Sequence, residues 1–512
     1  MSVIESYLAG CWQAGTGAGS PLVNPVTGTT LAHASSAGLD LTASLHHART
    51  VGGPALRALT FAERGTLLDA LAKAIYSVRD ELLEVSMANT GVTRSDAKFD
   101  IDGGTATLSA YAAIGRGLGN ATFLTDGDIE QLGRSPRFAG RHIRVPLRGV
   151  AIHINAFNFP IWGLAEKLAC AFLAGMPVLC KPATSTALPT WRAAKAMTDS
   201  GLLPAGSFSL LVGSVGSLLD HVGPQDVVAF TGSADTGAKI RTHPAVVRSS
   251  VRLNIEADSL NAVVVAPDVQ PGSACFDLFL RELVREMTQK SGQKCTATRR
   301  VILPTNLVEP VVAALRERLL PEYLPKPPTD PSARMGALAT PSQGVDVLDR
   351  ARAIAQHCDL VVGSLPAEPT TLVAPCVMLA RDSSAAELHE LEAFGPFVIL
   401  FPCDGSVAAA ADLVARGGGT LVTTVYSDDL DYAARCVEEM APWTGRLLLG
   451  SARITEFSTG PGLVLPNMVH GGPGRAGGGL ELGGLRGLNL YMQTCAVQGA
   501  RPVLERLFPV AQ

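Results

Sequence analysis

Between residues 150 and 240 short apolar, largely β-branched runs alternate with longer segments of helical character, and this alternation constrains the fold more than any single residue does. The runs predict strands at 150–154, 177–180, 208–212 and 227–230. Helices are predicted from Pro160 to a stop at Gly175, and then at 189–197, 217–222 and 234–240. Strands separated by helices pair in parallel, because the crossover returns each strand to the same edge of the sheet. The expected product is a parallel sheet with helices on both faces, a framework that commonly holds a nucleotide at its carboxyl edge. The phosphate signal within it is weak, since neither G-x-G-x-x-G nor G-x-x-x-x-G-K-[ST] occurs. Gly213 and Gly216 offer a tight turn, and Thr231-Gly232-Ser233 stands where backbone N–H groups at a helix start can meet an anion.

A second alternating set is read from 249–257 and 261–266 onward to 446–449. Within it, Leu280, Leu283, Val284 and Met287 recur at helical spacing over 276–290, and Gly292 is expected to end that helix. Cys295 then falls in a turn before the strand-like run Arg300-Val301-Ile302-Leu303. A thiol between a helix and a strand can face a cleft, although a buried structural cysteine satisfies the same pattern. Around these two sets, residues 1–55 read as an irregular lobe with small strands. Thr60 with Glu63 forms a capping box that opens an amphipathic helix through Val78, expected to cover a sheet. Residues 141–154 read as strand and lead into Asn155-Ala156-Phe157-Asn158-Phe159-Pro160. The proline-rich stretch 324–342 reads as a surface connection, and 488–498 as a strand followed by an exposed tail. The glycine run from His470 to Gly479 cannot be regular structure and requires close approach or unusual backbone angles.

A chain of 512 residues exceeds one core and divides into two or more domains. Its net charge of -4 leaves no basic surface for nucleic acid, and no lysine-rich run suggests a membrane surface, so a small molecule is the expected partner. Ten cysteines without a C-x-x-C pair or a Cys/His set at metal-ligand spacing indicate a reducing, cytoplasmic setting and predict no metal. The N-terminal residues lack a basic region followed by an apolar one, and the longest apolar run, 168–180, is broken by Gly175 and Pro177; neither a signal peptide nor a membrane span is expected.

The ordered set Asn158-Phe159-Pro160, Lys181-Pro182, Phe230-Thr231-Gly232-Ser233, Glu256, Gly292-Gln293-Lys294-Cys295 and Glu392-Ala393-Phe394-Gly395-Pro396 resembles the aldehyde dehydrogenase superfamily over essentially the whole chain. The wording around His153–Pro160, Glu256–Asn261 and His470–Arg475 resembles the dehydrogenase part of the PaaZ type, whose members act in coenzyme A-linked degradation of aromatic acids. The resemblance implies an α/β fold of two Rossmann-like parallel-sheet lobes with a small β oligomerisation arm. It places a cofactor-binding domain at 1–125 and 148–257, a catalytic domain at 258–470, and the arm at 126–147 and 488–505, with a homodimer as the expected assembly and a tetramer as the alternative.

What the resemblance implies chemically is oxidation of a coenzyme A-linked aldehyde to its acid. Cys295 would be the nucleophile, the Asn158 amide and the Cys295 N–H the oxyanion donors, Glu256 the base for the releasing water, and Lys167 a support for that network. Partial burial raising the Glu256 pKa would help it act as a base. For the cofactor, Lys181 resembles the residue at the adenosine ribose and Ser233 the one at the pyrophosphate. Glu392 resembles the carboxylate at the nicotinamide ribose, with Phe394 beside the ring, and Phe157 is implied as a further cofactor-binding residue. NAD-preferring members carry glutamate at the third residue after the lysine. Here that position is Thr184, which removes a repulsion against a 2'-phosphate and predicts NADP. Hydrolytic members often carry a second C-terminal glutamate; the matched position is Gln493, which would leave Glu256 as the main base. A general medium-chain aldehyde dehydrogenase without coenzyme A preference, and a non-catalytic binding or structural protein on the same fold, remain as alternatives.

Overall fold

A computed structural model describes residues 3–508; residues 1–2 and 509–512, with the far end of the expected tail, lie outside it. Two seven-stranded sheets dominate the molecule. The first runs in the order Arg252–Glu256, Val227–Thr231, Ala151–Ile154, Val178–Lys181, Phe208–Leu210, Ser6–Leu8, Cys11–Gln13. Its first five strands are parallel, and the two N-terminal ones add to the edge antiparallel. Of the N-terminal segment, Ser6–Leu8 and Cys11–Gln13 thus extend this sheet, while Val3–Ile4, Thr30–Ala34 and Ser20–Val23 form a small three-stranded sheet of their own, the small strands expected there. The segment also carries the helices Leu41–His47 and Gly53–Arg57, which sequence reading left irregular. Strand order reverses between Ala151–Ile154 and Val227–Thr231, and the crevice at such a reversal is where open α/β sheets bind ligands.

Helix Trp162–Ala174 is buried on nearly every side, because its sequence is apolar apart from the adjacent Glu166 and Lys167. It starts two residues later than Pro160 suggested and ends at Gly175, whose φ of 90° fits a left-handed stop. The capped helix Phe61–Ser77 forms as expected: Thr60 Oγ1 accepts from the Glu63 N–H at 3.2 Å, and Glu63 Oε2 accepts from the Thr60 N–H at 2.8 Å. It does not lie on the sheet, however. It packs on the long helix Arg94–Leu118 and on Trp162–Ala174 and Ala187–Asp199, which already occupy the inner layer.

The second sheet runs Cys358–Val362, Cys376–Ala380, Phe397–Cys403, Arg300–Pro304, Ala262–Val265, Thr420–Tyr426, Thr444–Gly450, parallel except for its first pair. The segment ending at Glu256, assigned above to the second set, belongs to the first sheet; the second begins at Ala262. The 141–154 stretch likewise splits. Phe138–Pro146 is the middle strand of a three-stranded antiparallel arm with Leu124–Gln131 and Met492–Ala500, while Ala151–Ile154 enters the first sheet. Residues 488–491 are the end of a 3-10 stretch, Gly484–Tyr491, and the chain after the arm strand forms the helix Arg501–Leu507. Among the described residues, no helix is long and apolar enough to cross a membrane.

Candidate active site

Helix Ala274–Thr288 brings the chain to Cys295, but Gly292 is not its end. The α-helix stops at Thr288, and Lys290, Ser291 and Gly292 then take left-handed angles in succession, with φ of 52°, 54° and 71°. Two of these are not glycine, and each costs on the order of 1 kcal/mol that the surroundings must offset. Ser291 Oγ donates to the Gly336 carbonyl at 3.0 Å, and the buried Lys290 ammonium lies 4.2 Å from the Phe159 ring centre. Gln293 Oε1 accepts from the Ala339 N–H at 2.8 Å, Arg299 donates to the Gly292 carbonyl at 2.9 Å, and Asn261 donates to the Cys295 carbonyl at 2.7 Å. The stretch 324–342 is thus no mere surface connection: its buried second half, Met335 to Ala339, braces the loop that carries the thiol.

Cys295 lies between two cavities. One is the crevice at the strand reversal, lined by Phe157, Lys181, Thr231, Gly232, Ser233, Glu392 and Phe394; the other is a narrower pocket lined by Asn158, Phe159, Trp162, Glu166, Gly462, Val464 and His470. Asn158 and Glu256 line both. The Asn158 amide donates to the Gln293 carbonyl at 3.0 Å, which fixes it over the thiol loop. Lys167 is no surface charge: its ammonium is buried, 3.0 Å from Glu166 Oε1 and 3.1 Å from Glu481 Oε2. Burial disfavours its charge, but Glu166, Glu481 and Glu256 outweigh that and raise its pKa.

Glu256 ends its strand inside the protein, only 2 % exposed. Its pKa moves opposite to expectation. Burial alone would raise it, yet His470, whose Nε2 stands 3.1 Å from Glu256 Oε2, and Lys167 together hold the carboxyl below its ordinary range. For His470 burial favours the neutral ring, and Glu256 reverses this and raises the pKa. The same imidazole Nε2 lies 3.8 Å from Cys295 Sγ. Burial, and then the Glu256 charge, push the thiol well above its usual range, so sulfur keeps its proton until a base takes it.

Sequence reading missed His470, Glu166 and Glu481. Gln493, taken as the counterpart of a second glutamate, sits exposed on the arm strand, where Arg252 donates to it. The buried carboxylate behind the pocket is Glu481, which accepts from Asn254 Nδ2 at 2.8 Å; burial, opposed by Lys167 but reinforced by Glu166 and Glu256, brings its pKa up to about 7. The signal available for Glu481 was its place between Leu480 and Leu482 directly after the glycine run. His470 stood in a stretch that carried the resemblance, but nothing in the sequence gave it a role, because its partners are distant in the chain.

In the crevice, Ser233 caps helix Ala234–Arg241, and Gly232 is confined between the Phe230 ring and the Glu256 carbonyl that accepts its N–H at 3.1 Å. The Thr231 hydroxyl is buried without a partner. Phe157 and Phe394 meet edge to face at 5.9 Å. Glu392 is held by Arg299 Nε at 3.0 Å and by the Ser259 N–H at 3.2 Å. Lys181 reaches Thr184 Oγ1 at 3.4 Å, and Thr184 donates onward to the Gly213 carbonyl at 2.8 Å. Burial lowers the Lys181 pKa to about 8. Thr184, Gly213 and Gly216 do not line the crevice itself. Gly213 serves instead a close approach of Ser36, whose nitrogen a Cβ there would meet at 2.7 Å. An orphaned hydroxyl, a helix start and a lysine around one crevice suit a dinucleotide.

Comparison with known proteins gives a concordant result. The family model for the aldehyde dehydrogenase family matches residues 12–497. A 3,4-dehydroadipyl-CoA semialdehyde dehydrogenase of Aromatoleum evansii is 41 % identical over 479 residues, covering 92 % of this chain and 93 % of the relative. Among solved structures, lactaldehyde dehydrogenase of Escherichia coli superposes with a TM-score of 0.83 at 21 % identity, over 98 % of this chain and 100 % of that one. PnpE in complex with nicotinamide adenine dinucleotide does so with a TM-score of 0.83 at 23 % identity, over 97 % of each.

Proposed function

This chain belongs to the aldehyde dehydrogenase family, and from that premise we propose that it oxidises a coenzyme A-linked aliphatic semialdehyde to the carboxylic acid with NADP, in the aerobic degradation of aromatic acids. The substrate we favour is 3,4-dehydroadipyl-CoA semialdehyde, supported by the Aromatoleum evansii relative that carries that name. The observation that carries the chemistry is that one thiol opens onto both the dinucleotide crevice and the narrow pocket.

Glu256, whose carboxylate the thiol hydrogen-bonds, takes the thiol proton, while His470 stays paired to the same carboxylate, and Cys295 adds to the aldehyde carbon. The Asn158 amide and the Cys295 N–H hold the resulting oxyanion, and losing such a donor costs on the order of a hundredfold in rate. The nicotinamide, when bound, supplies the acceptor for the hydride that leaves the thiohemiacetal carbon. Glu256 then deprotonates the water that releases the acid from the Cys295 thioester. Lys167, paired with Glu481 behind it, favours the return of Glu256 to its charged form as each proton passes to solvent.

Lys181 would pair with the 2'-phosphate, Ser233, Gly232 and Thr231 would receive the pyrophosphate, Glu392 would hold the nicotinamide ribose, and Phe157 and Phe394 would flank the ring. Gly213 and Gly216 would shape the turn beside the adenosine end. The same reading makes residues 1–125 and 148–257 the cofactor-binding domain, 258–470 the catalytic domain, and 126–147 with 488–505 the arm of a homodimer. Ten unpaired cysteines suit a cytoplasmic enzyme.

The test is a substrate panel with purified protein, read by NADPH absorbance. A coenzyme A-linked six-carbon semialdehyde should give at least tenfold higher kcat/KM than free hexanal, and Cys295→Ala should be inert. Equal efficiency with hexanal would instead point to a general medium-chain enzyme, and NADPH formation by Cys295→Ala would defeat the thiol mechanism.

A further inference from the structure

The groups around the sulfur have a second competence that aldehyde chemistry does not require. We propose that Cys295, His470 and Glu256 form a three-ligand site for one zinc ion, and that filling it shuts the enzyme reversibly. One ligand atom from each lies within 4.8 Å of the others. The separations are 3.8 Å from sulfur to His470 Nε2 and 3.1 Å from that nitrogen to Glu256 Oε2. Tetrahedral zinc, with bonds of about 2.3 Å to sulfur and about 2.0 Å to nitrogen and oxygen, spaces such pairs at about 3.5 and about 3.3 Å. These two pairs therefore stand within a few tenths of an ångström of ligation spacing, and the sulfur-to-carboxylate pair, within 4.8 Å, closes on the ion by side-chain rotation.

The donor set also fits the ion. Thiolate, imidazole and carboxylate together select a borderline-soft cation over magnesium or calcium, which take oxygen ligands. Glu256 is buried, and its Oε1 is left without a hydrogen-bond partner. A cation that prefers anionic donors gives that buried oxygen a partner. Cys295 is half-buried and opens to both cavities, so an ion can enter and a water or hydroxide can complete the fourth position. Binding sends the sulfur proton, and any proton on His470, to solvent; no oxidation or covalent change is involved. While the metal is present the sulfur cannot add to a carbonyl, and it is also shielded from alkylation and oxidation. Removal of the ion returns the thiol unchanged.

This inference goes beyond the proposed reaction and can be tested apart from it, because ligation is read without turnover. Cadmium is titrated into full-length protein whose exposed cysteines are replaced, Cys11→Ser with Cys495→Ser, and the ultraviolet sulfur-to-cadmium band is followed. One equivalent per chain should produce the band, and Cys295→Ala in the same background should lose it. His470→Asn and Glu256→Gln should each weaken binding on the order of tenfold or more. In the unsubstituted protein, zinc should block both iodoacetamide labelling of Cys295 and turnover, and a chelator should restore both. A band that survives Cys295→Ala, or an affinity unchanged in both His470→Asn and Glu256→Gln while each variant keeps the parent melting temperature, would overturn the site.

Discussion

Residue-scale chemistry turns on how neighbours redirect charge. Glu256 was expected to gain basicity from burial, yet although burial is the largest single influence on it, the imidazole beside it, Lys167 and the thiol hydrogen bond together outweigh desolvation, because nearby charges in a poorly screened interior add up. The cofactor end has a similar competition. Lys181 loses part of its affinity for protons to burial, with a pKa of about 8 in the free protein. If it pairs with a 2'-phosphate, KM for NADP should be lowest below about pH 8 and rise above it as the ammonium is lost, while KM for NAD stays flat over that range; parallel profiles for the two cofactors would remove Lys181 from the phosphate site. Thr184→Glu should reverse the preference. A carboxylate beside Lys181 neutralises it and repels the phosphate, so kcat/KM for NADP should fall on the order of a hundredfold while NAD use rises. Steady-state kinetics with both cofactors decides this.

Among the elements, the informative one is the turn after helix Ala274–Thr288. Three consecutive left-handed residues swing the chain through a path that neither an α-helix nor a strand offers, and this points the thiol at the cavities rather than into the helix packing. Glycine signalled the turn, but helical periodicity could not reveal that Lys290 and Ser291 share its conformation. Their strain is offset by bonds from residues distant in the chain, Gly336 and Ala339 among them. Gly292→Ala tests the turn. Its Cβ would stand 2.3 Å from the Gly395 carbonyl oxygen at a φ of 71°, so the loop must move. We expect a loss of at least about 1 kcal/mol of stability, read as a lower melting temperature, together with loss of most turnover. The Thr60 cap is the opposite case, a local device legible in sequence and remote from the site. Thr60→Ala should cost about 1 kcal/mol and leave kcat unchanged.

Across the whole molecule, the candidate site exists only where the two lobes meet. Glu256 comes from the edge strand of one sheet, Cys295 from a turn of the other, and His470 from the glycine run that joins them. That run is a seam: a Cβ on Gly477 would lie 2.1 Å from the Ile255 carbonyl oxygen, one on Gly472 2.3 Å from that of Thr420, and the Ala257 N–H donates to the Ala476 carbonyl at 3.1 Å. Gly477→Ala should therefore push the seam away from the Glu256 strand and lower kcat more than KM, with His470 displaced from the carboxylate. An unaltered kcat would show that the seam tolerates the shift.

The sequence by itself determined the alternation that makes two wound sheets, the capped helix, the place of Cys295 between helix and strand, and the need for close approach in the glycine run. Periodicity and turn chemistry act within a few residues, so they are written locally. It could not determine that the Glu256 strand joins the first sheet, that Gln493 faces outward while Glu481 lies behind the pocket, or that His470 stands between a carboxylate and a thiol. Those facts depend on register and packing between segments hundreds of residues apart, and the charge balance at the sulfur follows from that packing alone.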